Sequence, residues 1–157
     1  MGNLLVRNLC GFLAAVIAAY VLGAIFVSQG NIASIVAMDF DVSVAQRFDA
    51  ALHDVTNMTG IYLPVIAVSY LISMPVATFL IKYAPQLRTL LYVLAGATGL
   101  LVIHLILKLV LGISGIAPTR TLVGLIAQAI AGGVGGYLFH VVSMKRGVDG
   151  DTHNLTT

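Results

Sequence analysis

Four uninterrupted apolar stretches limit this chain to one solvent and one kind of backbone structure. They run over Leu9–Val27, Ile61–Ile81, Leu90–Leu111 and Thr121–Val142. Each is about 20 residues long, the length a helix needs to cross a hydrocarbon core of about 30 Å. None alternates apolar with polar residues at the period of a barrel strand. The bilayer interior offers no water to peptide groups, so the backbone must bond to itself, and helix is the remaining solution. Composition agrees, because only 9% of the 157 residues are charged and 59% are hydrophobic, against about 25% charged in ordinary soluble domains. The expected fold is an all-α four-transmembrane-helix bundle. It forms a single membrane domain over residues 1–146, followed by a flexible polar tail over 147–157.

Basic residues orient the spans. Arg7, Lys82, Arg88, Lys145 and Arg146 precede span one, separate spans two and three, and follow span four, so four crossings put them all on one side. Arg47 and Arg120 fall on the other side, with Asp39, Asp41, Asp49 and Asp54. The positive-inside rule then predicts cytoplasmic N- and C-termini. Short loops and a clean charge bias suit a bacterial inner membrane. Tyr62, Tyr83 and Tyr92, near span ends, read as interfacial anchors. Span one exceeds the about 7–15 apolar residues of a signal-peptide core and is expected to be a retained helix.

The longest segment between spans, residues 28–59, is expected to be extracytoplasmic and to contain an amphipathic helix between spans one and two. Ser43 with Gln46 three residues later forms a capping-box pattern. Val44, Phe48, Leu52 and Val55 then recur at three- and four-residue steps, opposite Gln46, Arg47, Asp49, His53 and Asp54. Such a stripe suits the membrane surface, the mouth of the bundle, or a docking partner.

Small residues recur at four-residue steps inside the spans. Gly11, Ala15, Ala19 and Gly23 lie on one line of span one, and Gly124, Gln128, Gly132 and Gly136 on one line of span four. Lipid supplies no hydrophobic drive between helices, so close approach and dispersion contacts hold them together. These residues are the expected helix-packing surfaces. Glycines on more than one face of span four suggest a second use, against another subunit or another copy.

Polar residues within spans are the candidate functional groups. Gln128 needs a partner in hydrocarbon, and Ser69 or Ser73 of span two is the expected one. Pro75 removes a helical hydrogen bond in mid-span and is the candidate hinge. His104 and Lys108 share a face of span three. Lys108 is near enough to the span end to snorkel, whereas His104 is a turn deeper. A candidate polar site therefore comprises His104, Lys108, His53, Asp54 and Gln128.

Several chemistries are disfavoured. The chain has no Glu and a single cysteine, Cys10, and every Asp lies outside the spans. No nucleophile motif or phosphate-binding loop is present. His104 and His140 fall in opposite halves of the membrane, about 20 Å apart in depth at 1.5 Å per residue, which is wrong for a bis-histidine haem. Asp49 and His53 are spaced like metal ligands but lack a third partner. No cofactor, metal site or nucleic-acid partner is expected. The leading expectation is a non-enzymatic accessory subunit of a membrane complex, or a self-assembling homo-oligomer. Its partners would be lipid together with other subunits or copies of itself. The alternative is a small transporter or channel with a polar path at His104, Lys108 and Gln128.

Overall fold

The computed structural model of the chain describes residues 2–111 and 121–144, and all regular structure in them is helical. Helix α1 spans Gly2–Val36, α2 Val44–Asn57, α3 Tyr62–Ile81, α4 Arg88–Leu111 and α5 Leu122–Met144. A 3-10 turn at Pro85–Leu87 joins α3 to α4. Helices α1, α3, α4 and α5 are each long and apolar enough to cross a membrane, as an integral membrane protein requires. Helices α3, α4 and α5 end within two residues of the boundaries read from sequence. Arg120, Lys145, Arg146 and the tail 147–157 lie outside the described residues.

Helix α1 departs from expectation by continuing nine residues past Val27. The end of an apolar run marks where hydrocarbon ends, not where helix ends. Ser28, Gln29 and Asn31 all tolerate helix, and no proline intervenes. The helix stops in a turn over Ala37–Asp39, where Asp39 takes a positive φ of 64°. A short polar side chain accepts that left-handed conformation best after glycine.

The chain then reverses into α2, whose capping box forms as expected. The Ser43 amide donates to Gln46 Oε1 at 2.8 Å, and the Gln46 amide donates back to Ser43 Oγ at 3.3 Å. Two cross-contacts fix the direction of α2. Gln29 bonds Arg47, and the Tyr20 hydroxyl donates to the Val55 carbonyl at 2.6 Å. Gln29 and Tyr20 are about 13 Å apart along α1, and Arg47 and Val55 about 12 Å apart along α2. The matched spacing makes α2 antiparallel to the far half of α1. It does not lie flat across the bundle mouth. The face turned to α1 carries Arg47, Ala50, Ala51, Asp54 and Val55, and the large apolar side chains Val44, Phe48 and Leu52 face outward.

Helix α5 is the centre of the bundle, packed against α1 on one side and α4 on the other, and α3 lies mainly against α4. The small-residue ladders explain this order. Ala15, Ala19, Gly11 and Gly23 are buried along α1. Gly132 and Gly136 face α4, where a Cβ on either would overlap a backbone carbonyl, of Gly96 or of Tyr92 respectively. Gly135 faces the other way, and a Cβ there would overlap the Tyr70 hydroxyl and crowd the Ala15 carbonyl oxygen. Gly124, in the first turn, is only half-buried and donates its amide to Thr121 Oγ1 at 3.1 Å. The glycines on separate faces of α5 are therefore occupied within one chain.

Candidate functional site

Gln128, Tyr62 and His104 meet inside the bundle at one level, toward the α2 end. Gln128 is 1% exposed. Its Oε1 accepts from the Tyr62 hydroxyl, and its Nε2 donates to the Gly23 carbonyl at 3.2 Å. This one amide ties α5 to α3 and to α1. Gly23 is required for the arrangement, because a Cβ there would overlap the Tyr62 hydroxyl and crowd Gln128. The serines expected to partner Gln128 do not. Ser69 and Ser73 point instead at α4, where a Cβ on Gly99 would crowd both hydroxyls. They lie two and three turns deeper along α3 than Tyr62, out of reach of the amide.

His104 completes the level. Its ring stands edge-on to Tyr62 with centroids 6.0 Å apart, and it is 6% exposed. Nδ1 lies 2.7 Å from the Leu100 carbonyl. A carbonyl can only accept, so Nδ1 carries the proton and Nε2 of the neutral ring presents a lone pair. That Nε2 is buried and has no hydrogen-bond partner. Tyr20, 5.9 Å from Tyr62 between ring centroids, extends the cluster to α2 through its bond to Val55.

The structure thus joins His104 and Gln128, with Tyr62 between them. Asp54 is half-buried at the rim, beside Val55. His53 and Lys108 are exposed and stand apart. His53 Nδ1 meets Asn57 Nδ2 on its own helix at 3.3 Å, and Lys108 is in the last turn of α4. A cation there complements the carbonyl end of the helix. Pro75 is on the exposed face of α3, which runs through it as one helix. Among the described residues, no three of His, Cys and Asp come together as a metal site would need.

The tyrosines were the residues that sequence reading missed. Tyr62 and Tyr92, expected from sequence as interfacial anchors, are 2% and 4% exposed, inside the bundle. Tyr70 is also buried and donates to the Gly132 carbonyl at 2.5 Å, across the bundle from α3 to α5. The signal is present in the sequence: Tyr62, Ile66, Tyr70, Met74 and Ala77 form one stripe at helical spacing, with Gly23 facing Tyr62 and Gly135 facing Tyr70. A phenol fits where a facing glycine leaves room for its hydroxyl. Tyr83 alone of the three expected anchors is exposed.

Chemically the cluster offers one hydrogen-bond acceptor at His104, with no nucleophile beside it. Cys10 is exposed near the opposite end of the bundle. No known protein family, curated protein or solved structure matches the chain.

Proposed function

We propose that the chain is a non-enzymatic accessory subunit of a larger membrane complex, docking a different protein through the outward face of α2. The carrying observation is an apolar stripe without cover at the end of the α1–α2 hairpin. Met38, Phe40, Val44, Phe48 and Leu52 are each at least 61% exposed.

Depth argues that lipid does not cover all of it. Gly23, Tyr62, His104 and Gln128 share a level, and Arg7 and Arg88 at the basic end are about 24 Å from it along their helices. A hydrocarbon core of about 30 Å starting there ends near Val27 and Lys108. The rest of α1, Phe40 in the connection after it and Val44 at the start of α2 stand beyond it. On the positive-inside rule this end is extracytoplasmic and the basic end cytoplasmic, as expected of a bacterial inner-membrane protein. Charge argues for a partner of another kind. Asp39, Asp41 and Asp49 accompany the stripe, and its nearest cation, Arg47, is bonded to Gln29. A second copy would set like charges against one another. The glycine faces of α5, used within the chain, no longer support self-assembly.

The test is the composition of the particle extracted from native membranes with a mild polymer. We expect a complex well above 16.5 kDa that contains other chains. Phe48→Asn with Val44→Asn should release this subunit still folded, since both side chains face away from the bundle. A monomer in the native extract would overturn the proposal, and a particle built of this chain alone would replace the foreign partner with a copy.

The transporter reading keeps one observation in its favour, the buried lone pair of His104. In that case His104 would carry a proton or accept a bond from a passing solute. In vesicles with an imposed pH gradient, wild type should then dissipate the gradient and His104→Leu should not. Equal leakage from both would end this reading.

A further inference from the structure

At the basic end of the bundle, α1 and α3 touch sparingly and leave a groove of about 370 Å³ floored by Phe139 of α5. Phe12, Leu71, Met74 and Pro75 form its apolar walls, with Asn8 and Lys82 at its mouth. From Lys82 to Leu71 the helix rises about 16 Å, close to half of a hydrocarbon core. The groove therefore runs from headgroup depth through most of one leaflet.

Its charge is one-sided. Lys82 is exposed, with Nζ 5.8 Å from the centre of the Phe79 ring. Arg7, next to Asn8, is half-buried with its Nε lacking a hydrogen-bond partner. Arg88 begins α4 at the same end, and its Nε is likewise buried without a partner. Among the described residues every carboxylate, at Asp39, Asp41, Asp49 and Asp54, belongs to the opposite end. Two other lateral grooves provide a comparison. One between α4 and α5, lined by Val93, Ala97, Ile130 and Gly133, and one between α3 and α4, lined by Ser73, Leu91 and Gly99, have no charged residue in their walls. Annular lipid of any kind fits those. Among the described residues, the α1–α3 groove pairs an apolar trough with cations at headgroup level that no carboxylate accompanies.

We propose that this groove is a binding site for one anionic phospholipid. The phosphate lies between Lys82 and Asn8, within the field of Arg7, and one acyl chain runs over Phe12, Leu71, Pro75 and Phe139. The proposal is independent of the docking role of α2.

The full chain is purified and equilibrated with vesicles of equal phosphatidylglycerol and phosphatidylcholine, and retained lipid is counted by native mass spectrometry. One phosphatidylglycerol per chain is expected on wild type. A surface cation contributes about 1 kcal/mol to binding an anionic headgroup, so Lys82→Gln should weaken retention about fivefold. Lys108→Gln, at the opposite end, should leave it unchanged. Leu71→Trp should block the trough and abolish retention. Leu71 is 65% exposed, so the bundle survives that change. Phosphatidylcholine held as readily as phosphatidylglycerol, or Lys82→Gln indistinguishable from wild type, would overturn the proposal.

Discussion

Gly132→Ala will destabilise the bundle by forcing a methyl group into helix backbone, as Gly96→Ala and Gly136→Ala will also do. The Cβ would overlap the carbonyl oxygen of Gly96, and the reciprocal change at Gly96 would overlap the carbonyl oxygen of Gly132. Neither obstacle is the flexible end of a side chain. Both are backbone within helices, so relief requires α4 and α5 to separate along their whole seam. Overpacking of this kind costs about 1–3 kcal/mol and sometimes more. At this chain length each kcal/mol lowers the midpoint by about 2–4 °C, which predicts a loss of about 6–12 °C at the upper end. Gly11→Ala is the internal control, because its Cβ would meet Phe139 at 3.4 Å, near ordinary contact. Thermal aggregation followed by size-exclusion chromatography in a mild detergent distinguishes them. Equal midpoints for the Gly132 and Gly11 variants would mean that the α4–α5 approach is not as close as described. The same contact changes how glycine substitutions in span four must be interpreted. Gly132→Leu or Gly136→Leu would unfold the single chain, so neither can separate an assembly from a transporter monomer.

Gln128→Leu is expected to have the second-largest effect, and the Tyr62→Phe/Gln128→Leu pair reveals why. The single change removes an acceptor from the Tyr62 hydroxyl and a donor from the Gly23 carbonyl. A hydroxyl left buried without a partner costs about 1–3 kcal/mol. The net worth of one membrane hydrogen bond is smaller, about 0.6 kcal/mol on average and up to about 1.7. Gln128→Leu alone should therefore cost about 2 kcal/mol. Adding Tyr62→Phe should cost little more, because the orphaned hydroxyl leaves with it. The cycle should give a coupling of about 1 kcal/mol, measured from denaturation in mixed micelles. Strict additivity would show that the two side chains do not share a bond.

Legibility of the fold from sequence followed the physics each element obeys. The four spans were readable because hydrocarbon thickness acts on consecutive residues, and a run such as Tyr62–Ile81 carries its own length. The capping box at Ser43 was readable because its two bonds close over three residues. The extension of α1 to Val36 was not, since hydropathy is silent about helix that continues beyond the hydrocarbon. The site was legible in its membership more than in its connections. His104 and Gln128 stand out as polar residues in apolar runs. Their link through Tyr62 depends on how α3 and α5 face each other, which no local pattern encodes. Ser69 and Ser73 were reasonable partners for Gln128 by chemistry but lie at the wrong height. The orientation of the α2 stripe was likewise undetermined, because Ala50 and Ala51 bury one face as effectively as Phe48 and Leu52 would have buried the other.

Helix α5 is the fourth membrane crossing to be synthesised, yet α1 and α4 meet chiefly through it. Until it enters the bilayer, α1 and α4 have no common surface on which to settle, and only α3 links them. Ala15 and Ala19 of α1 then face lipid, as do Gly96 of α4 and the hydroxyls of Tyr62 and Tyr70. Hydrocarbon tolerates the alanines and the glycine but leaves both phenols without acceptors. Cooperativity between α1 and α4 is thus deferred to the insertion of α5. A nascent chain stalled before Leu122 would present the membrane quality-control machinery with polar groups that the finished protein conceals.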